Sequence, residues 1–281
     1  MFKISLEKIR SHSLKQIFSH VLGIIETSFS KNWLNPIATF YLNLRSFPFS
    51  QAFRMPVYVY GRPRFYCLSG QMRIEGRIKS GMIRFNQTKP GAPSNMDVQS
   101  EILNTGVIVF RGNGFIGTGN KIRVAGELYL GRDFKIADMC NIGVFSKVKI
   151  GDHTRVAHRC QILDSNYHYI ANFSKRIIPQ WKSIIELGNY VWVGNTSTIT
   201  GGAKIPNFTI IASNSLVGKD YTSIPENSMI GGIPAKFIAN GFRRVENKTI
   251  ENKIGKFYSQ NPTGIYEIPE GDTMDLYSLI D

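Results

Sequence analysis

The sequence predicts a mainly β fold in which short strands wind into a three-sided coil that stacks on itself. The first observation is an aliphatic residue at every sixth position: Leu187, Val193, Ile199, Ile205, Ile211 and Val217. The second is that the fifth position of these hexads is small or β-branched in all but the last: Val191, Ser197, Ala203, Thr209, Ser215 and Tyr221. A period of six fits neither a helix nor a lone strand, but it fits a short strand followed by a tight turn.

The same period occurs upstream in three phases, each shifted by two residues relative to the six-residue count of the one before. The aliphatic positions are Ile116, Ile122, Leu128; then Leu130, Ile136, Ile142; then Ile150, Val156, Ile162. Three hexads close a triangular coil of about 18 residues, and successive coils pair as parallel strands about 4.8 Å apart. We expect about five coils between residues 110 and 222, each buried against its neighbours. Cys140 and Cys160 fall at fifth positions and are expected to be buried corner residues.

Three regions follow from this pattern. Residues 1–106 form an N-terminal extension of helices and then strands, which could cap the coils. Residues 107–240 carry the hexads together with a loop at 164–186, and residues 241–281 form a short C-terminal tail. Within the extension, Asn35-Pro36 predicts the start of a short helix, and the aromatic and β-branched segments 55–68 and 71–85 predict strands.

Helical spacing also marks the first thirty or so residues. The apolar positions are Leu14, Ile17, Phe18, Val21 and Ile25, and they predict an amphipathic helix from about residue 5 to 28. We favour packing of this helix against the body of the protein. The alternative is a basic helix on an anionic membrane surface, because four cations precede the apolar stripe: Lys3, Lys8, Arg10 and Lys15.

Composition narrows the class of partner and the compartment. The net charge of +14 fits a polyanionic partner or plain solubility, but no zinc finger or RNA-binding signature occurs, so nucleic acid is disfavoured. Three cysteines, without a Cys-x-x-Cys pair, fit a reducing cytoplasm. The N-terminal residues show no signal-peptide pattern, and no apolar run approaches the roughly 20 residues that span a bilayer. We therefore expect a cytoplasmic protein that could contact the membrane peripherally.

The six-residue repeat is interrupted once by a long segment. After Ile162 the hexads stop, and they resume only at Leu187, leaving a long loop that holds His168. A connection of this length inside a compact domain is usually functional. An imidazole suits general-base chemistry because its ordinary pKa lies near neutrality, while the alternative is a plain surface histidine.

The amino-acid sequence of the hexads resembles that of a known family. The segment from Val191 to Ile238, VWVG…GGAKIPNFTIIASNSLVGKD…IPENSMIGGIPAKFI, is similar to the hexapeptide-repeat acyltransferases, in their carbohydrate O-acetyltransferase branch. The resemblance covers residues 107–240 and implies a left-handed parallel β-helix, whereas the general crossover rule alone predicts a right-handed one. It also implies a homotrimer, acetyl-CoA as acyl donor, a carbohydrate acceptor and no metal.

The resemblance assigns roles to single residues. His168 is the implied general base, and Asp164 is a weak candidate for orienting it, beside Asn166 or a backbone carbonyl. The residues that match the donor-binding positions are Asn195, Gly201, Gly202, Ser213, Gly218, Lys219 and Lys236, the two lysines being implied phosphate ligands. Related enzymes often have Thr where Gly218 stands. Trp192 could contact the donor or pack at a coil edge, and Arg243 and Arg244 could add phosphate contacts or serve solubility.

Two further histidines raise the question of a metal. His153 and His158 lie five apart and precede His168. Zinc carbonic anhydrases of the same fold place the isolated ligand before the close pair, whereas here it follows the pair inside a loop. We therefore predict solvated side chains and no metal site.

The sequence thus favours an acetyl-CoA-dependent O-acetyltransferase acting on a sugar hydroxyl in capsular or lipopolysaccharide biosynthesis. Two alternatives remain open. The first is an N-acetyltransferase acting on an amino-sugar nucleotide or a drug, and the second is a β-helix scaffold without catalysis.

Overall fold

The computed structural model describes residues 33–88 and 98–278, together with Phe18, Ser19 and Leu22. Within this part the chain forms a left-handed parallel β-helix, a three-sided prism whose faces are three sheets. The predicted helix from about residue 5 to 28 lies outside the described residues except for Phe18, Ser19 and Leu22, which are helical and exposed.

Each turn of the chain adds one strand to each face in order. Face 1 consists of β1 (Val57–Val59), β4 (Ile83–Phe85), β7 (Gly114–Ile116), β10 (Phe134–Ile136), β13 (Arg155–Val156), β16 (Trp192–Val193), β19 (Ile210–Ile211), β21 (Ser228–Gly232) and β22 (Ala235–Asn240). Face 2 consists of β2 (Arg64–Leu68), β5 (Glu101–Asn104), β8 (Lys121–Val124), β11 (Asn141–Val144), β14 (Gln161–Leu163), β17 (Thr198–Thr200) and β20 (Leu216–Val217). Face 3 consists of β3 (Gln71–Ile74), β6 (Val107–Phe110), β9 (Glu127–Leu130), β12 (Lys147–Ile150), β15 (Ile185–Leu187) and β18 (Lys204–Ile205). The named strands pair in parallel, except that β21 and β22 form an antiparallel hairpin.

The hexad prediction is confirmed in the core. All six hexad aliphatics from Leu187 to Val217 are buried, and so is every fifth-position residue from Val191 to Tyr221. Cys140 and Cys160 are buried free thiols at adjacent corners, and their Sγ atoms donate to the carbonyl oxygens of Ala157 and Gly194, each at 3.1 Å.

The prism begins earlier than the sequence predicts. The predicted boundary at residue 107 falls inside it, because β1 to β5 already pair with the strands that follow. From β5 to the loop the coils advance by 20 residues, as in the pairing of Ile122 with Ile142, whereas Ile199 pairs with Val217 at the predicted 18. The physical reason lies on face 2, where β8 and β11 bury a second residue, Val124 and Val144, whereas β17 buries only Ile199. The first coils are longer still, as the pairing of Met72 with Ile108 shows, so a strict six-residue count misses them.

Two of the three corners use the same backbone conformation in coil after coil. A non-glycine residue with φ between 48° and 57° stands between faces 3 and 1 at Asp133, His153, Tyr190 and Phe208. Between faces 1 and 2 the equivalent residues are Met139, Arg159, Thr196 and Asn214, with φ between 57° and 59°. Backbone in the left-handed region turns the chain sharply, so a single positive-φ residue at each of these two corners bends the coil into its triangular shape.

Two helices close the N-terminal end of the prism. α1 (Pro36–Ser46) begins as the Asn35-Pro36 signal predicts, with the Asn35 side chain accepting from the Ala38 amide, and α2 (Phe49–Ala52) follows. Asn43 bonds both the N–H and the carbonyl of Val57, and Gln51 does the same for Ile74. These side chains satisfy backbone groups at the ends of two sheets, which would otherwise offer a template for another strand.

The C-terminal tail folds back on face 1. It contains α3 (Lys248–Gln260) and α4 (Met274–Ser278). Arg155 of β13 donates to Glu246 at 2.8 Å and also bonds Asp133, so a buried guanidinium ties the tail to the coil. None of the helices in the described residues has the length and apolarity needed to cross a membrane.

Candidate active site

The loop leaves the prism where face 2 meets face 3. It begins after β14 and returns at β15, and its two strands lie side by side at the root. The Ser183 amide donates to the Asp164 carbonyl at 2.8 Å, and the Asn166 amide donates to the Trp181 carbonyl at 3.0 Å. Ser165 and Lys182 form an antiparallel bridge between them. The root is therefore a short two-stranded stem rather than a free tether.

Asp164 fixes this stem to the coil beneath it. Its buried carboxylate accepts from the backbone amides of Phe145, at 2.8 and 3.0 Å, and Ser146, at 2.6 Å. Lys182 closes the arrangement by donating to the Phe145 carbonyl at 3.0 Å. Burial raises the pKa of Asp164 above its ordinary value, although these amides and the Lys182 charge act in the opposite direction.

This geometry differs from the predicted role of Asp164 beside His168. Both carboxylate oxygens are occupied by the turn at Phe145 and Ser146, and among the residues that the structure describes no hydrogen bond joins Asp164 to His168. The reason is register. Asp164 continues β14 into the position opposite Val144, so its side chain points into the prism rather than along the loop.

Aromatic rings hold the stem from outside. Phe145 packs edge-on against Tyr167 at 4.8 Å between ring centroids and lies 5.5 Å from Trp181. Tyr169 contacts Trp181 from the other side at 6.5 Å. Between these anchored tyrosines stands His168, exposed, and preceded by the left-handed turn at Tyr167 with φ of 62°. The loop thus presents an imidazole to solvent between two fixed rings.

Sequence reasoning missed this cluster. Lys182, Phe145 and the two rings of Tyr167 and Trp181 act together only because the loop folds back over the β11–β12 corner. The available signal was the density of aromatic residues around His168, but no spacing rule assigns Tyr167 and Trp181 to a corner residue 22 and 36 positions upstream.

Three glycines of the predicted donor site line the same corner. A Cβ at Gly201 would lie 3.0 Å from the Asp164 carbonyl oxygen, and one at Gly202 would lie 3.7 Å from the Gly218 carbonyl oxygen. A Cβ at Gly218 would lie 2.4 Å from Thr200 Oγ1. The Thr200 hydroxyl therefore fills the space that a threonine at position 218 would use, which accounts for glycine there.

The remaining predicted donor residues lie elsewhere around the last coils. Asn195 and Ser213 stand exposed at the corner between faces 1 and 2, where the Asn195 carbonyl accepts from the Asn214 amide at 2.9 Å. The predicted residues therefore flank face 2 on both sides. Lys219 follows Gly218 with its ammonium 5.2 Å from the Tyr221 ring centroid, and Lys236 is exposed on β22 opposite Gly231.

The two arginines are not free phosphate ligands. Arg243 lies 3.6 Å from the Phe208 ring centroid and donates to Asn227 at 2.8 Å and Ser278 at 2.6 Å, so it anchors the tail. Arg244 lies over the Trp192 ring at 5.1 Å and bonds Glu246. Trp192 consequently supports the tail on face 1, which is the packing role that the sequence left open.

The other histidines belong to corners. His153 stacks on Tyr190 at 4.6 Å, and its Nδ1 lies 3.4 Å from an Asp133 oxygen. His158 stands next to the positive-φ residue Arg159, and its carbonyl accepts from the Thr196 amide at 3.1 Å. Within the described ranges, no three His, Cys, Asp or Glu side chains are grouped as a metal site would require.

Comparisons with known proteins agree with this architecture. No family model matches the chain. The putative lipopolysaccharide biosynthesis O-acetyl transferase WbbJ of Escherichia coli K12 is 31% identical over 147 residues, which are 49% of this chain and 74% of that protein. Galactoside O-acetyltransferase of the same strain is 24% identical over 168 residues, 60% of this chain and 78% of that protein.

A solved structure shares the fold. The crystal structure of the polySia specific acetyltransferase NeuO superposes with a TM-score of 0.51 at 18% identity, covering 74% of this chain and 84% of that one. The stacked coils with their single loop, and a relative 31% identical over 74% of its own length, lead to one conclusion. The chain is an acyltransferase that belongs to the hexapeptide-repeat family, in its carbohydrate O-acetyltransferase branch.

Proposed function

We propose that this protein transfers an acetyl group from acetyl-CoA to a hydroxyl of a carbohydrate acceptor during the assembly of capsular or lipopolysaccharide glycans. The observation that carries the proposal is the loop, whose stem is fixed by Asp164 and whose exposed imidazole belongs to His168. The 31% identical relative, the putative lipopolysaccharide biosynthesis O-acetyl transferase WbbJ, supports the acceptor class.

In the proposed reaction His168 acts as the general base. Its neutral imidazole takes the proton of the acceptor hydroxyl as that oxygen attacks the thioester carbonyl. The tetrahedral intermediate then collapses, the carbon–sulfur bond breaks, and the proton passes from the imidazolium to the departing thiolate. Because the thioester is already activated, the step needs neither a metal nor a covalent acyl-enzyme. A positioned base of this kind contributes roughly 10²–10⁴ in rate.

The donor would be held by the last coils. The glycines at the corner between faces 2 and 3 leave the backbone accessible to a long, thin chain such as pantetheine. Asn195 and Ser213 would supply polar contacts at the other edge of face 2, and the ammonium groups of Lys219 and Lys236 would pair with phosphates. Asp164 takes no part in proton transfer here and serves to fix the stem that carries His168.

We also propose that the active enzyme is a homotrimer. The loop beyond its stem exposes five large apolar side chains, from 52% to 81% of their surface: Tyr169, Ile170, Phe173, Ile177 and Ile178. Five exposed apolar side chains within residues 169–178 are typical of a segment that contacts another subunit. Light scattering should give three times the chain mass of 31.7 kDa. An active monomer would contradict this proposal. We keep a cytoplasmic location as a prediction, since the donor is a cytoplasmic thioester.

The experiment that tests the function uses purified protein, acetyl-CoA and two acceptor sets, neutral oligosaccharides and amino sugars. Thiol release should depend on the oligosaccharide, and the product should carry an ester that mild alkali removes. Release with amino sugars alone, giving an alkali-stable amide, would favour N-acetyl transfer instead.

A non-catalytic scaffold is tested separately by coenzyme A binding. A ligand at 100 times its dissociation constant stabilises the folded state by about 2.7 kcal/mol. We expect a matching rise in the unfolding temperature with coenzyme A. If coenzyme A does not raise the unfolding temperature and neither acceptor set causes thiol release, the protein is a scaffold without catalysis.

A further inference from the structure

The first helix has one face that is largely uncovered among the described residues, apart from a contact of Tyr41 with Phe65 at 5.9 Å between ring centroids. Its inward side packs on the prism end through Thr39, Leu42, Asn43 and Ser46, all buried. Its outward side carries Ile37, Phe40, Tyr41 and Leu44 at helical spacing, exposed by 81%, 54%, 52% and 50%. α1 therefore buries a mainly polar side against the prism and leaves its apolar side largely uncovered.

α2 extends this outward side. Phe49 and Phe53 pack edge to face at 4.2 Å between ring centroids, yet they remain 75% and 60% exposed. We call these six outward residues of α1, α2 and the position just after it the basal surface: Ile37, Phe40, Tyr41, Leu44, Phe49 and Phe53. It forms the end of the prism opposite the coils that carry the proposed donor site.

The segment around the basal surface is strongly cationic. Residues 33–88 contain a single carboxylate, Glu75, against eight cations: Arg45, Arg54, Arg62, Arg64, Arg73, Arg77, Lys79 and Arg84. Eight minus one gives +7, which is half of the net charge of +14 in a fifth of the chain. Arg45 and Arg54 are exposed and lie on or directly after the two helices. An apolar surface inside a cationic segment is the composition of a membrane-surface helix.

We propose that the basal surface docks on an anionic phospholipid bilayer. The aliphatic and aromatic side chains would enter the boundary between head groups and acyl chains, while the arginines pair with lipid phosphates. The loop leaves after β14, the fifth strand of face 2. Four strand spacings place His168 about 20 Å above the docked end.

Charge disfavours the other occupants of this surface. A second copy would bring +7 against +7, which repels. The first 31 residues of the chain contain five cations against Glu7 and Glu26, so they too lack the carboxylates that the arginines would need. A phosphate-rich bilayer is the partner with complementary charge.

Vesicle sedimentation of the full-length protein tests the proposal. Binding to vesicles of equal parts phosphatidylcholine and phosphatidylglycerol should exceed binding to phosphatidylcholine alone, and should weaken as salt is raised. The double variant Ile37→Asp/Phe49→Asp should bind at least about tenfold more weakly, because two apolar side chains are lost from the interface. Ile265→Asp is the matched control, 82% exposed but on the tail, and should bind like the parent.

Three outcomes would overturn the proposal. The first is absence of binding to the anionic vesicles. The second is equal binding by the parent and the double variant, which would assign the membrane contact to general charge or another segment. The third is a fall in unfolding temperature or in oligomeric mass of the double variant without vesicles, since that would show the surface covered by the N-terminal segment or a second copy.

Discussion

The coils before the loop and those after it share three faces but differ in the width of their interior. On face 3 one inward column starts with Met72, Ile108 and Leu128, continues through Val148 and Ile185, and leads to Ala203, the residue just before β18. The chain length of a coil falls from 20 residues just before the loop to 18 after it, so the later coils enclose a narrower interior.

This difference separates two tasks. The wide coils hold the large interior rings Phe85, Phe110 and Phe134, and the last two stack in a row with Phe47 at the cap. The narrow coils carry all seven predicted donor residues within or after them, at corners built from small residues. The loop leaves the prism where the 20-residue coils give way to the 18-residue coils. The change in coil length and the candidate active site therefore occur at the same place.

The largest effect should come from emptying the wide coils. Phe134→Ala removes a fully buried ring and should lower the free energy of unfolding by about 3–5 kcal/mol, measured by chemical denaturation. Gly114 is the internal control, because a Cβ there would lie 1.9 Å from the Phe134 ring. Gly114→Ala alone should destabilise strongly, yet cost little in the Phe134→Ala background. Additive effects in that double-mutant cycle would refute the packing described.

A smaller effect should follow from widening a narrow coil. Ala203→Leu inserts side-chain volume where the column has contracted, and we expect a loss of about 1–3 kcal/mol in the free energy of unfolding. Ile185→Leu, one coil earlier in the same column, conserves volume and should cost under about 1.5 kcal/mol. If both variants cost the same, the interior does not narrow between these coils.

The junction between the two types of coil depends on Asp164. Asp164→Asn keeps one acceptor oxygen but turns an amide toward the Phe145 and Ser146 N–H groups, so we expect about 1 kcal/mol of lost stability. The loop should become more sensitive to limited proteolysis, and turnover should fall while the dissociation constant for coenzyme A stays the same. Asp275→Asn on the tail, 84% exposed, should match the parent in all three assays. Unchanged proteolysis of the Asp164→Asn loop would argue against a fixed stem.

The smallest expected effect is the loss of stability of the C-terminal tail at acidic pH. Burial raises the pKa of Asp133, but the Arg155 guanidinium more than offsets this and the pKa is lowered. A carboxylate with a lowered folded-state pKa adds stability above its unfolded value, near 3.9, and that stability disappears as the pH falls through the lower value. The protection factors of the α3 amides, which correct for the slower intrinsic exchange in acid, should therefore fall below about pH 4. In Asp133→Asn, the protection factors should already be lower at neutral pH and should respond less to acid.

The sequence predicted the narrow coils well because each coil there repeats one rule. Six residues carry one inward aliphatic and one small corner residue, so Leu187 to Val217 could be placed without any partner being known. The sequence did not predict the first coils, from Val57 to Asn104, because their paired strands lie far apart along the chain, as with Val57 and Ile83 or Met72 and Ile108. Chain inserted between these strands interrupts the six-residue count.

The site was less predictable for a related reason. His168 stands out because it follows the break in the repeat, and Gly201, Gly202 and Gly218 stand in recognisable turns. The partners of Asp164, Arg243 and Arg244 depend on which corners meet in three dimensions. Arg243 meets Phe208 and Ser278, which are 35 positions away in each direction along the chain. No local spacing encodes such contacts.

The role of His168 as general base is tested by measuring turnover and coenzyme A affinity of His168→Ala, with His158→Ala as the matched control. We predict that His168→Ala loses roughly 10²–10⁴ in kcat and keeps its dissociation constant for coenzyme A, whereas His158→Ala is as active as the parent. A fully active His168→Ala enzyme would show that the imidazole carried by the loop has no part in acyl transfer.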